Sequence, residues 1–66
     1  MIVYYGKHAR DQMTARGITE REVEEGINRG QKELQKPDKI LSYYKYFCVV
    51  YKIIDGICFV ITVKPR

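Results

Sequence analysis

The chain lacks the cysteine pattern of a zinc site or a disulfide scaffold. Its two cysteines, Cys48 and Cys58, stand apart with no CxxC, and His8 is the only histidine among the 66 residues. No metal site and no cofactor are therefore expected. No apolar run reaches the roughly 18 residues that a membrane span needs. The opening Met1-Ile2-Val3-Tyr4-Tyr5 has neither the charged start nor the long apolar region of a secretion signal. Together these absences lead to the expectation of a cytoplasmic protein with reduced thiols and no membrane association. Long polar runs are missing too, and with 45% hydrophobic residues the chain reads as a folded domain throughout, residues 1–66. At this length the core is marginal, so a partner is a natural aid to stability.

Charge is unevenly placed. Up to residue 25 there are four Lys/Arg and five Asp/Glu, whereas from residue 26 onward there are eight against three. A basic second half suits an anionic partner, which is RNA, DNA or an acidic protein. Solubility alone accounts equally for a net charge of +4.

Ile2 to Tyr5 is β-branched and aromatic and reads as a strand closed by Gly6. Lys7 to Arg16 are helix formers, with Ala9 and Met13 sharing a face and Gly17 suited to the left-handed stop. Thr19 followed by Glu22 is a capping box for a second helix, with Ile18 and Val23 placed as a hydrophobic staple. Val23 and Ile27 are its core residues, Glu25 and Arg29 can pair across a turn, and Gly30 closes it. Gly26 costs about 1 kcal/mol against Ala in mid-helix, which is explained by close approach to the sheet or the first helix. The acidic run Glu20, Glu22, Glu24 and Glu25 reads as a solvated helix face.

The remainder is β. Gln31 to Lys36 has the character of a weak edge strand, and Lys39 to Tyr44 begins the next. Phe47 to Ile54 and Ile57 to Val63 form a hairpin turning at Asp55-Gly56. An uninterrupted register then sets Cys48 opposite Val63, Val50 opposite Ile61, Lys52 opposite Phe59 and Phe47 opposite Lys64. Cys48 and Cys58 fall on opposite faces, so two free core thiols are expected. Both faces are largely apolar; the face away from the helices is either covered or serves as a dimer interface. The predicted class is α+β, of order βααβββ, with two helices on a small antiparallel sheet.

This order resembles that of the RelE/ParE toxins. His8-Ala9 with Met13, Arg16-Gly17-Ile18 and Val23, ending in Val60-Ile61-Thr62-Val63, is similar to a family of small uncharacterised domains. Members of that family carry an "HA…RM..RGI….V" signature and a closing "VVTVY"-like strand. The family is itself distantly similar to RelE- and BrnT-like ribonuclease toxins. Gln12 stands where arginine is usual before the methionine, and Lys64 where a tyrosine often follows the last strand. The resemblance implies a toxin-like fold, and beyond it RNA binding or metal-independent endoribonuclease activity within a toxin–antitoxin system, with an acidic antitoxin-like partner. Toxins of this kind use sheet lysines, arginines and tyrosines rather than a histidine pair.

RNA cleavage without metal needs a base, a cation at the phosphate and a proton donor. His8, Arg16 and Lys52 are the candidate catalytic residues. His8, Gln12 and Arg16 lie one turn apart on a polar stripe; alternatively His8 caps the first turn and Arg16 binds carbonyls at the helix end. Lys52 either lays its stem across the sheet or lines a cleft. Tyr43, Tyr44, Lys45, Tyr46, Lys64 and Arg66 are the candidate RNA- or partner-binding residues, with tyrosines to stack bases and cations to hold phosphates. Half-buried sheet tyrosines also occur for packing alone. The competing readings are a non-catalytic interaction module and a structural homodimer joined through the sheet.

Overall fold

The computed structural model describes residues 2–66. Strand β1 (Ile2–Tyr5) leads into helices α1 (Lys7–Arg16) and α2 (Glu20–Arg29). Strands β2 (Gln31–Gln35), β3 (Lys39–Tyr44), β4 (Phe47–Ile54) and β5 (Ile57–Pro65) follow. The class is α+β, with two helices packed on a sheet. Four strands follow the helices rather than three, and the five-stranded sheet runs β1-β5-β4-β3-β2. It is mixed rather than wholly antiparallel, because β1 pairs parallel with β5 while the other neighbours are antiparallel. The two helices between β1 and the rest return the chain over one face, which is the kind of connection parallel pairing requires.

The helix ends follow local chemistry. Gly17 takes φ 68 and ends α1, while the Ile18 N–H donates to the Met13 carbonyl. At α2 the Glu22 N–H donates to the Thr19 hydroxyl at 3.2 Å, and the Glu22 carboxylate accepts from the Thr19 N–H at 3.0 Å. Ile18 and Val23, the two staple positions, are both buried in one core. The expected Glu25–Arg29 ion pair does not form; among the described residues the pairs are Lys7–Asp11 and Arg10–Glu20. An exposed pair of this kind contributes too little to dictate geometry.

Ala9 and Met13 of α1, and Val23 and Ile27 of α2, pack on Phe47, Val49, Tyr51, Cys58, Val60 and Val63. Gly26 is a sheet-contact position: a Cβ there would lie 3.2 Å from the Phe47 ring. Gly30 is tighter still, with the Ser42 hydroxyl and two carbonyls occupying the space of a Cβ. The buried Ser42 hydroxyl donates to the Gly26 carbonyl and ties β3 to α2.

The hairpin turns at Asp55 (φ 51) and Gly56 (φ 75), but its register is not uninterrupted. Tyr51 pairs with Val60 and Val50 with Thr62, leaving Ile61 as an extra residue in β5. Beyond this bulge Cys48 opposes Lys64, rather than Val63, and Phe47 opposes Pro65, rather than Lys64. The physical reason is core composition. A regular register would carry Lys64 to the face of Phe47 and Val63 away from it. The bulge keeps fully buried Val63 beside Val49 and sends Lys64 to the helix-free face.

Candidate functional site on the helix-free sheet face

The face without helices has a small apolar centre. Leu41, Cys48 and Val50 are buried there, with Tyr43 and Ile61 packed against them. Around it strand alternation sets Lys39, Lys52 and Lys64. Lys39 and Lys52 follow the Ile40–Tyr51 pair at the same end and so stand side by side. Arg66 closes the row, its guanidinium carbon 5.9 Å from the centre of the Tyr43 ring and its NH1 donating to the Lys45 carbonyl at 3.2 Å. Against these four cations the strands place one carboxylate, Glu33, which accepts a 2.7 Å hydrogen bond from the Tyr43 hydroxyl. That bond pushes the Tyr43 pKa upward, with burial and the Glu33 charge adding to it. Tyr43 therefore holds its proton firmly at neutral pH. Burial raises the Cys48 thiol beneath them, although Lys64 pulls in the other direction.

The expected site residues divide between the two sides. Tyr43, Lys52, Lys64 and Arg66 share the helix-free face. Tyr44 points to the helix side, where it packs on the core and meets Phe47 edge-on at 6.0 Å. Lys45 occupies the β3–β4 turn at φ 50, with its amine 5.4 Å from the Tyr44 ring. The Thr19 N–H holds the Glu22 carboxyl below its ordinary value, with the Thr19 hydroxyl and then the Lys45 charge adding to this. Tyr46 is exposed in the same turn, 5.4 Å from Phe47. His8 and Arg16 lie on α1, which packs over β5 from the helix side. His8 is exposed and the first helical turn has no side-chain cap; Arg16 donates to Gln12 at 3.2 Å rather than to carbonyls. The fold thus does not bring His8 and Arg16 together with Lys52.

Sequence reasoning missed Glu33. Glu33 lies ten residues from Tyr43, on a strand whose five residues are all exposed, so no local pattern announces it. Two clefts exist elsewhere. One of about 350 Å³ lies along the second half of α1 and the loop to α2 and includes Arg10, Met13 and Ile18. The other, of about 360 Å³, lies at the β2–β3 turn and includes Leu34, Pro37 and Ile40. Of the residues on the candidate face, only Lys39 borders either cleft. Among the described residues no three His, Cys, Asp or Glu side chains gather as a metal site, and no helix is long and apolar enough to cross a membrane.

The whole fold has a solved counterpart. A chain in the crystal structure of the toxin–antitoxin complex RelBE2 from Mycobacterium tuberculosis superposes with a TM-score of 0.66. The match covers 98% of this chain and 96% of that one at 14% sequence identity, a likeness of fold. No curated protein matches the sequence. Residues 5–64 match the family described as a domain of unknown function (DUF4258), and the chain belongs to that family.

Proposed function

We propose that the helix-free face binds single-stranded RNA and that the protein acts as a toxin-like component in the cytoplasm. One observation carries this reading: Lys39, Lys52, Lys64 and Arg66 share with Tyr43 a face with an apolar centre, where the one strand carboxylate is engaged by Tyr43. Cations hold phosphates, and a half-buried aromatic ring offers a base a surface to stack on. The RelBE2 likeness supports the toxin-like part. For cleavage, Lys64 and Arg66 would neutralise the phosphate, Glu33 would take the proton of the attacking 2′-hydroxyl and Tyr43 would supply a proton to the departing 5′-oxygen. His8 and Arg16, on the other side, take no part in this arrangement.

The test is fluorescence anisotropy with a short unstructured RNA across a salt series, followed by gel analysis of the RNA. Lys52→Ala with Lys64→Ala should weaken binding and reduce the salt slope by roughly 1.4, at about 0.7 per single-strand phosphate contact. Tyr43→Phe should stop cleavage, while His8→Ala leaves it intact. Affinity no better than millimolar at low salt, or a double variant that binds as the wild type, sinks the RNA reading. Binding of an acidic protein by the same face is the second reading, favoured by the same charge and by the neighbour's place in a toxin–antitoxin complex. It would survive if the double variant lost an acidic protein ligand but RNA never bound.

A further inference from the structure

The sheet ends in two edges of opposite character. β2 carries Lys32 and Glu33 along its edge, the usual defence against unwanted pairing. β1 has no such defence: Ile2-Val3-Tyr4-Tyr5 is uncharged and free of proline, with Ile2 67% and Tyr4 59% exposed. Its backbone groups can be sorted. The Gly6 N–H donates to the Val60 carbonyl at 3.2 Å, so alternation aims the polar groups of Ile2 and Tyr4 at β5 as well. Those of Val3 and Tyr5 point outward from the sheet.

We propose that β1 pairs antiparallel with β1 of a second copy, forming a dimer with one continuous ten-stranded sheet. A two-fold axis relating antiparallel strands stands perpendicular to the sheet, so only residues of the same face can meet. The register centred on Tyr4 sets Val3 opposite Tyr5 of the partner subunit, and Tyr5 opposite the partner subunit's Val3. These two pairs supply four N–H···O=C bonds from the outward groups. Tyr4 then lies beside Tyr4 of the partner subunit. Its ring already sits 5.5 Å from Phe59, so an aromatic row crosses the join.

Charge selects a copy over an acidic strand. The nearest cation on the helix-free face, Lys52, is separated from β1 by β5. On the other face Arg10 lies 5.0 Å from the Tyr5 ring and is already paired with Glu20 at 3.0 Å. An uncharged strand meets an uncharged strand without penalty. Stacking two copies face to face would instead press Lys39, Lys52, Lys64 and Arg66 against their own images. A four-residue join is smaller than the roughly 1,000 Å² of a lasting interface, so the dimer forms and dissociates with concentration.

Sedimentation velocity of the whole chain in physiological salt, from micromolar to millimolar, tests this. The wild type should shift from monomer to dimer. Tyr4→Lys sets like charges directly opposite each other and should remain monomeric throughout, with its circular dichroism unchanged. Amide hydrogen exchange on the wild type supplies a second readout: Val3 and Tyr5 should gain protection with concentration, while β2 should not. A wild type that stays monomeric at millimolar concentration overturns the proposal. So does a dimer that Tyr4→Lys leaves intact, or protection that appears at β2 instead of β1.

Discussion

Tyr5 carries a hydroxyl to the edge of the core, where it donates to the Glu20 carbonyl at 3.4 Å. Burial, with Glu24 and Glu20 next in order, pushes its pKa up to about 12 from an ordinary 10. The unfolded chain therefore gives up this proton at lower pH than the folded one. The contribution is whole below pH 10 and is lost as pH rises through about 12. Two pH units correspond to at most roughly 2–3 kcal/mol, and solvent screening of the part-buried hydroxyl reduces the contribution below that. Urea denaturation at pH 9 and pH 12 should show Tyr5→Phe losing less stability than the wild type over that interval. Equal losses would mean that Tyr5 ionises as freely folded as unfolded. At this scale the sequence identified the aromatic but not its environment. The same holds for Tyr43, whose partner Glu33 comes from another strand, and for Tyr44, whose neighbour in sequence faces the opposite way.

Among the elements, α2 is the one most completely written in its own residues. Thr19, Glu22, Val23 and Ile27 all behave as their spacing predicts, because capping and amphipathicity act within one or two turns. Thr19→Ala should cost about 0.5–2 kcal/mol in chemical denaturation, by freeing the Glu22 N–H. Thr19→Asn should recover most of that loss, and an Ala variant as stable as the wild type would show that the cap is idle. β2 is the opposite case. Its polar residues show no alternation, and it is a strand only because β3 supplies backbone partners from Gln31↔Tyr43 to Gln35↔Lys39. The bulge at Ile61 is equally invisible locally, since Val60-Ile61-Thr62-Val63 fits a regular strand just as well.

For the molecule as a whole, the sheet separates two chemistries. The helix side buries the core that contains Cys58, while the other side gathers cations over Cys48. Both thiols are free and buried, and burial raises both pKa values, which suppresses thiolate. A disulfide-exchange reagent should therefore modify the native protein only as fast as it opens, and should count two thiols once denaturant is added. A rapidly reacting native thiol would contradict the packing on its face. The positive balance of the second half, visible in composition, becomes a surface only through this separation. Lys39, Lys52 and Lys64 come from three different strands and share one side because alternation and the bulge set them there.

The sequence by itself determined the two helices with their caps and stops, the Asp55-Gly56 hairpin, the α+β class and the opposite facing of the cysteines. Each of these depends on interactions within a turn or across a tight hairpin, so neighbouring residues suffice. Only the tertiary structure decided the parallel pairing of β1 with β5, the shift at Ile61, and the parting of His8 and Arg16 from Lys52. Pairing β1 with β5 joins the two ends of the chain, and no local pattern records such a contact. The shift at Ile61 follows from which residue the finished core can accept: it keeps Val63 and turns Lys64 out.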